Sequence, residues 1–130
     1  ADKPVEVTLH ISPDDLTVNA DRTHFTNILS NLIDNAIKYS VGTAVIDIDC
    51  RRTPAGSVRI SVSDRGIGIA PDKLPHIFDR FYRVPTGNTH NVKGYGLGLF
   101  YVKTMVEQHG GNVRATSRPG QGSTFVIDFK

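Results

Sequence analysis

Seven apolar residues, Phe25, Ile28, Leu29, Leu32, Ile33, Ala36 and Ile37, recur at helical spacing over residues 21–38 and constrain everything built around them. At 100° per residue they fill one broad arc, while Asn27, Asn31, Asp34, Asn35 and Lys38 fill the opposite one. Asp21 stands where a carboxylate can cap the first turn. The polar arc is the unusual part. Asparagine is roughly 0.5 kcal/mol worse than alanine inside a helix, so Asn31 and Asn35 one turn apart on one face call for a reason.

The surface this helix needs comes from strands. "VEVTLHI" alternates apolar and polar residues and predicts a half-buried strand over residues 5–11, with Val5, Val7, Leu9 and Ile11 facing one way. "AVIDIDC" and "SVRISVSD" alternate likewise and predict a hairpin around Pro54, Ala55 and Gly56, with Cys50 as a small core residue. A short helix is expected near residues 71–78. The polar segment "YRVPTGNTHNVKGYG" that follows reads as a mobile loop. A helix over about residues 97–108 stops at Gly110 and Gly111, and "NVRAT" and "STFVIDF" close the domain around the turn "RPGQG". This order predicts an α/β fold with helices layered on one face of a mixed sheet. Neither an internal repeat nor a low-complexity tract interrupts it.

With 130 residues, 38% of them hydrophobic, the chain is expected to form one domain, residues 1–130, around a single core. The 15 Lys and Arg against 13 Asp and Glu leave a charge of +2 and no basic run dense enough for a nucleic-acid groove. A single cysteine, Cys50, excludes an internal disulfide and fits a reducing compartment. No apolar run approaches the roughly 18 residues of a membrane span, and no secretory pattern opens the chain. Ala1 in place of methionine reads as the mark of a processed or excised protein.

Four stretches carry chemistry. Asn31, Asn35 and Lys38 stand at i, i+4 and i+7, a row about 10 Å long by helix rise. An amide oxygen can ligate Mg²⁺ and a lysine can offset phosphate charge; the same row also suits an ordinary solvated face. In "DRGIGI", residues 64–69, the carboxylate of Asp64 could accept a hydrogen bond from an exocyclic amine while Gly66 and Gly68 let a flat ring approach. Equally, it could be a strand-ending turn. "KGYGLGL", residues 93–99, runs glycines into a helix N-terminus, a place for phosphate, although a lone glycine-rich turn is as readily structural. Its G-x-G-x-G spacing and preceding loop do not match the dinucleotide fingerprint. "IFDRFYR", residues 77–83, sets Phe78 and Phe81 beside Arg80 and Arg83, mixing apolar anchors with guanidinium groups able to grip phosphate oxygens; each of the four stretches alone is ambiguous.

Taken together and in this order, the four resemble the catalytic ATP-binding domain of sensor histidine kinases, in the superfamily shared with DNA gyrase, mismatch-repair ATPases and heat-shock chaperones. "NLIDNAIKYS" is similar to the family's N box, "DRGIGI" to its first glycine box, "IFDRFYR" to its F box, "GYGLGL" to its second glycine box and "GQGSTF" to its last. The resemblance implies a two-layer α/β sandwich of Bergerat type, its sheet mixed but mostly antiparallel, with an ATP lid at about residues 79–95. It implies that Asn35 ligates Mg²⁺, that Asn31 and Lys38 assist at metal and phosphates, and that Tyr39 lines the adenine pocket. Asp64 would receive the adenine amine beside Gly66, Gly68 and Ile69, and Arg83 would reach the γ-phosphate. Lys93, Gly94, Tyr95, Gly96, Leu97, Gly98 and Leu99 would surround the phosphates, with Thr124 from the last box. Asn31, Lys38 and Arg83 form the implied catalytic set, with ATP and Mg²⁺ as the implied ligands. Phe100 stands where the family often has a small residue, a change in packing beneath the lid.

The superfamily's hydrolases place a glutamate one helical turn before the metal asparagine to prepare water. Here that position holds Asn31, and an amide cannot act as a base. The N box therefore favours transfer to an imidazole on another domain. None of His10, His24, His76, His90 and His109 lies in the family's phosphoacceptor motif. The implied partners are the protein's own dimerisation and phosphoacceptor domain and a downstream response regulator, with no nucleic acid. The resemblance implies a cytoplasmic domain, itself outside the bilayer, in a parent protein compatible with anchoring in the inner or plasma membrane. A nucleotide-sensing module that binds ATP without catalysis is the alternative, and the intact boxes argue against it.

Overall fold

A computed structural model describes residues 4–13, 15–18, 20–79 and 98–130. Among the described residues five strands and two helices follow one another as β1 (Val5–Ile11), α1 (Arg22–Lys38), β2 (Ala44–Arg52), β3 (Val58–Asp64), α2 (Gly98–Gln108), β4 (Asn112–Arg118) and β5 (Gly122–Phe129). The strands form one sheet in the order β1-β2-β3-β5-β4. Of these strands β1 and β2 run parallel, joined by the crossover through α1; the other neighbouring pairs are antiparallel. This is the mixed, mostly antiparallel two-layer α/β arrangement expected from the sequence.

Helix α1 begins where the capping rule places it. The Asp21 carboxylate accepts from the His24 backbone N–H at 2.9 Å, satisfying one of the donors that an open first turn leaves exposed. Its apolar arc buries Ile28, Leu32 and Ala36 against β2 and β3. Each fully buried Ile or Leu contributes roughly 1.5–3 kcal/mol. Val102 and Val106 of α2 enter the same core, which continues through Ile46, Ile60, Val62, Phe125, Ile127 and Phe129 of the sheet. The helices are also pinned by a polar contact, Tyr101 hydroxyl to His24 Nδ1 at 2.7 Å. Between residues 71 and 78 the chain makes turns with a 3-10 segment at Leu74–His76, shorter than the predicted helix because Pro75 interrupts it. Phe78 then packs edge-on against Phe125, ring centroids 6.1 Å apart.

One expectation fails. β1 forms as a strand, but all seven of its residues are exposed, Val5 at 43% rising to Ile11 at 63%. Its apolar side is in register with Ala44, Ile46, Ile48 and Cys50 of β2, so it faces the helix layer. α1 packs over β2 and β3, and α2 over β4, which leaves the edge strand uncovered among the described residues.

Candidate nucleotide-binding site

The chain leaves α1 at Lys38, a cation in the last turn where the helix dipole favours it. Tyr39 follows as the C-cap, and its carbonyl oxygen accepts the Ile67 N–H at 3.0 Å. That bond ties the loop after β3 to the end of α1. Closeness of this order explains Gly66, where a Cβ would lie 2.4 Å from the Tyr39 carbonyl oxygen. On the other side the Ile67 carbonyl accepts the Gly120 N–H at 2.7 Å, fastening the loop to the β4–β5 turn.

These ties shape a pocket lined by Asn35, Tyr39, Asp64, Gly68, Ile69 and Ser123. Asp64 closes β3 and is 8% exposed. Burial pushes its carboxyl above the usual value, against the backbone N–H groups of Gly66 and Ser123, which bond the ionised form and pull the other way. The Gly66 bond is 2.8 Å. A buried acceptor directed at a pocket lined by an aromatic ring and glycine backbone is chemistry suited to a flat base bearing an amine.

Asn35 contributes its amide from one helical turn before Tyr39. One turn earlier still, Asn31 donates from Nδ2 to the Asn27 carbonyl at 2.8 Å, leaving Oδ1 to face the start of α2. A Cβ on Gly98 would meet that Oδ1 at 3.1 Å. The polar arc of α1 therefore runs from the pocket to the N-terminus of α2, where backbone N–H groups and the helix dipole favour phosphate. Leu99 packs on the core just inside that terminus.

Of the residues predicted from sequence, the structure brings Asn35, Tyr39, Asp64, Gly68 and Ile69 around one pocket, with Gly66 beneath it, and Asn31 beside Gly98. Lys38 lies at the adjoining end of α1. Arg83, Lys93, Gly94, Tyr95, Gly96 and Leu97 lie outside the described residues, as does nearly all of the expected lid at 79–95, together with Arg80, Phe81 and His90. Thr124 is placed on the opposite face of the sheet, its hydroxyl 3.0 Å from Ser63 Oγ. Its neighbour Ser123, which the sequence reading did not single out, is the residue of β5 that lines the pocket. The signal was available: Phe125, Ile127 and Phe129 lie two, four and six positions after Ser123, on the same side of the strand, and fix which side faces the helices.

Asn35 lines the pocket and carries a hard amide oxygen, and Mg²⁺ takes oxygen donors while keeping waters and substrate phosphates in its shell, so this residue fits that ion. Among the described residues no three His, Cys, Asp or Glu side chains converge as a metal cluster. No helix among them is long and apolar enough to cross a membrane.

Comparison with known proteins shows the family. The family model for histidine kinase-, DNA gyrase B- and HSP90-like ATPases matches residues 20–130. The sensor protein RprX of Bacteroides fragilis is 42% identical over 123 residues, 94% of this chain and 24% of that protein. The sensor-like histidine kinase SenX3 of Mycobacterium tuberculosis is 41% identical over 116 residues, 89% of this chain and 28% of that protein. The chain thus spans about a quarter of the length of these curated relatives. Among solved structures, the mycobacterial sensor histidine kinase MprB superposes with a TM-score of 0.84 at 27% identity, covering 96% of this chain and 82% of that one. Full-length ShkA in complex with AMPPNP gives 0.80 at 32% identity, covering 96% of this chain and 25% of that one. The chain belongs to the family of histidine kinase-, DNA gyrase B- and HSP90-like ATPases, and within it is a catalytic ATP-binding domain of the sensor histidine kinase type.

Proposed function

We propose that this domain binds Mg·ATP and donates the γ-phosphoryl group to a histidine on a separate dimerisation and phosphoacceptor domain, from which a response regulator takes it. The observation that carries the reading is the buried Asp64 carboxylate aimed into a pocket shared with Tyr39 and Asn35. Asp64 accepts from the adenine amine. Tyr39 and Ile69 flank the ring, and the glycine-bearing loop admits it closely. Bound Mg²⁺ would supply charge neutralisation on the phosphates, held on the protein side by Asn35.

The chain's own groups then orient the nucleotide so that its terminal phosphate points along the polar arc of α1 toward Asn31 and the α2 terminus. Lys38 adds positive charge at the end of α1 that carries Tyr39, and Arg83 would act on the γ-phosphate. Asn31 is an amide with its N–H already given to Asn27, so it orients by hydrogen bonding and removes no proton. Water is therefore left without a base at this position, which favours an incoming imidazole that is already a nucleophile when neutral. His109 is no source of that imidazole, since both ring nitrogens are engaged: Nδ1 donates to the Met105 carbonyl at 2.6 Å and Nε2 accepts the Asp21 N–H at 3.3 Å. Of the nucleophile and the nucleotide site, this chain supplies the second.

Incubation with γ-labelled ATP tests the reading. The chain alone should bind ATP, turn it over negligibly and remain unlabelled. Adding the cognate dimerisation domain in trans should give acid-labile, base-stable phosphohistidine. Rapid self-labelling of the chain alone would overturn the assignment. Calorimetric titration of Asn35→Ala separates the metal from the base: affinity for Mg·ATP should fall much more than affinity for metal-free ATP, and equal losses would remove Asn35 as a ligand.

A further inference from the structure

We infer that Ser117 is a positioning residue for base recognition, holding the pocket wall formed by Ile69 and Ser123 in the geometry that lets Asp64 select an amine-bearing base. The inference rests on the nucleotide reading above and deepens it. Ser117 lies near the end of β4, stands behind the residues that line the pocket, and is the cross-strand partner of Ser123.

Its hydroxyl has three neighbours. The Ile69 N–H donates to Oγ at 2.7 Å, the Gly122 carbonyl oxygen lies at 2.9 Å, and Ser123 Oγ lies at 2.8 Å. A hydroxyl has one proton and two lone pairs. One assignment satisfies all three contacts: Ser117 donates to Gly122, which can only accept, and accepts from Ile69 and from the Ser123 hydroxyl. Ser117 is then saturated. Ser123 has spent its proton and presents only lone pairs to the pocket.

Two consequences follow. The loop that carries Gly66, Gly68 and Ile69 is fixed at its far end by Ser117, as it is fixed in the middle by Tyr39 and Gly120. The start of β5 is fixed at Gly122 and Ser123, and the Ser123 N–H is one of the two backbone donors holding the Asp64 carboxylate. Ser117 thus joins the two segments between which the base must fit, and orients a second acceptor beside Asp64. An amine donates to such a wall. A ring carbonyl at the same place meets acceptors on both sides.

The test compares ATP with purine riboside triphosphate, which lacks the amine, in the parent chain, Ser117→Ala and Ser117→Thr, with melting temperature followed alongside. The parent should prefer ATP. Ser117→Ala should lose about tenfold of that preference, because Ile69 N–H and Gly122 lose their partner and Ser123 is free to turn its proton into the pocket. Ser117→Thr, which keeps the hydroxyl, should retain the preference. General destabilisation would weaken both ligands equally and leave the ratio unchanged, so a folded Ser117→Ala with the parent's ratio overturns the inference. Should that variant fail to fold, Ser117→Cys, with its weak acceptor, is read by the same ratio. A parent that binds ATP without amine preference sinks the Asp64 reading itself and takes this inference with it.

Discussion

A Cβ placed on Gly122 would stand 2.0 Å from the carbonyl oxygen of Asp64. The two residues begin β5 and end β3, and Gly122 adopts φ +96°, a conformation strained for any L side chain. The close approach brings the β4–β5 turn under the pocket and sets the Ser123 N–H against the Asp64 carboxylate.

Gly122→Ala should therefore destabilise the domain by about 3–5 kcal/mol, through backbone strain and displacement of β5. Urea unfolding measures the loss. Nucleotide affinity should drop further than the folded fraction accounts for.

Asp64→Asn should do the opposite to stability while abolishing the preference for ATP. Burial raises the Asp64 carboxyl above its unfolded value, so its favourable contribution is fully present below the unfolded pKa and is lost as pH rises through the folded one. At pH 7 the folded domain holds a buried charge that a neutral amide avoids. Without nucleotide, the variant should melt above the parent at pH 7, and its advantage should shrink below the ordinary carboxylate range. A parent-like melting temperature at pH 7 would contradict this.

The outer sheet face gives the reverse case. Asp128 accepts from Arg59 at 2.7 Å and from Arg114 at 3.2 Å. The Arg59 hydrogen bond, followed by the charges of both arginines, holds its carboxyl below the usual value against burial. This stabilisation exists above the unfolded pKa and is lost as pH falls through the lowered folded one. Asp128→Asn should cost about 1–2 kcal/mol at pH 7, discounted for the exposure of both arginines. The gap between parent and variant should close only at pH below the ordinary carboxylate range. Thermal melts across that range decide it.

The exposed apolar row on β1, Val5, Val7, Leu9 and Ile11, extends about 20 Å along an edge strand. Contiguous apolar surface at a sheet edge promotes association. Leu9→Thr with Ile11→Thr, which places β-branched residues at both positions, should lower self-association in sedimentation experiments and reduce dye binding. Stability should change by less than about 1 kcal/mol, as for other exposed substitutions.

Periodicity made most of this fold legible. α1, its Asp21 cap and the β2–β3 hairpin all follow from local spacing and turn chemistry. Burial of β1 was not legible, because alternation reports which side a strand favours and not whether a helix reaches it. The pocket was readable at Asn35, Tyr39, Asp64, Gly68 and Ile69, where spacing and residue type coincide. Ser117 was invisible: a serine near a strand end has no sequence mark separating it from solvated ones. Its role exists only because β4 brings it under Ile69, 48 positions away.

That separation has a kinetic meaning. The β4–β5 hairpin closes through a tight turn and α1 through local bonds, so both are within reach of an early chain. The pocket instead requires β3 to find β5, a pairing that joins Ser63 to Thr124 across 61 positions and must first offset the entropy of closing that loop. On that ground the β3–β5 pairing is expected on the late side of the folding barrier. A nucleotide held between β3, β5 and the end of α1 would act as a clasp on the last closure made, and its effect would appear in the unfolding rate while the folding rate stays unchanged.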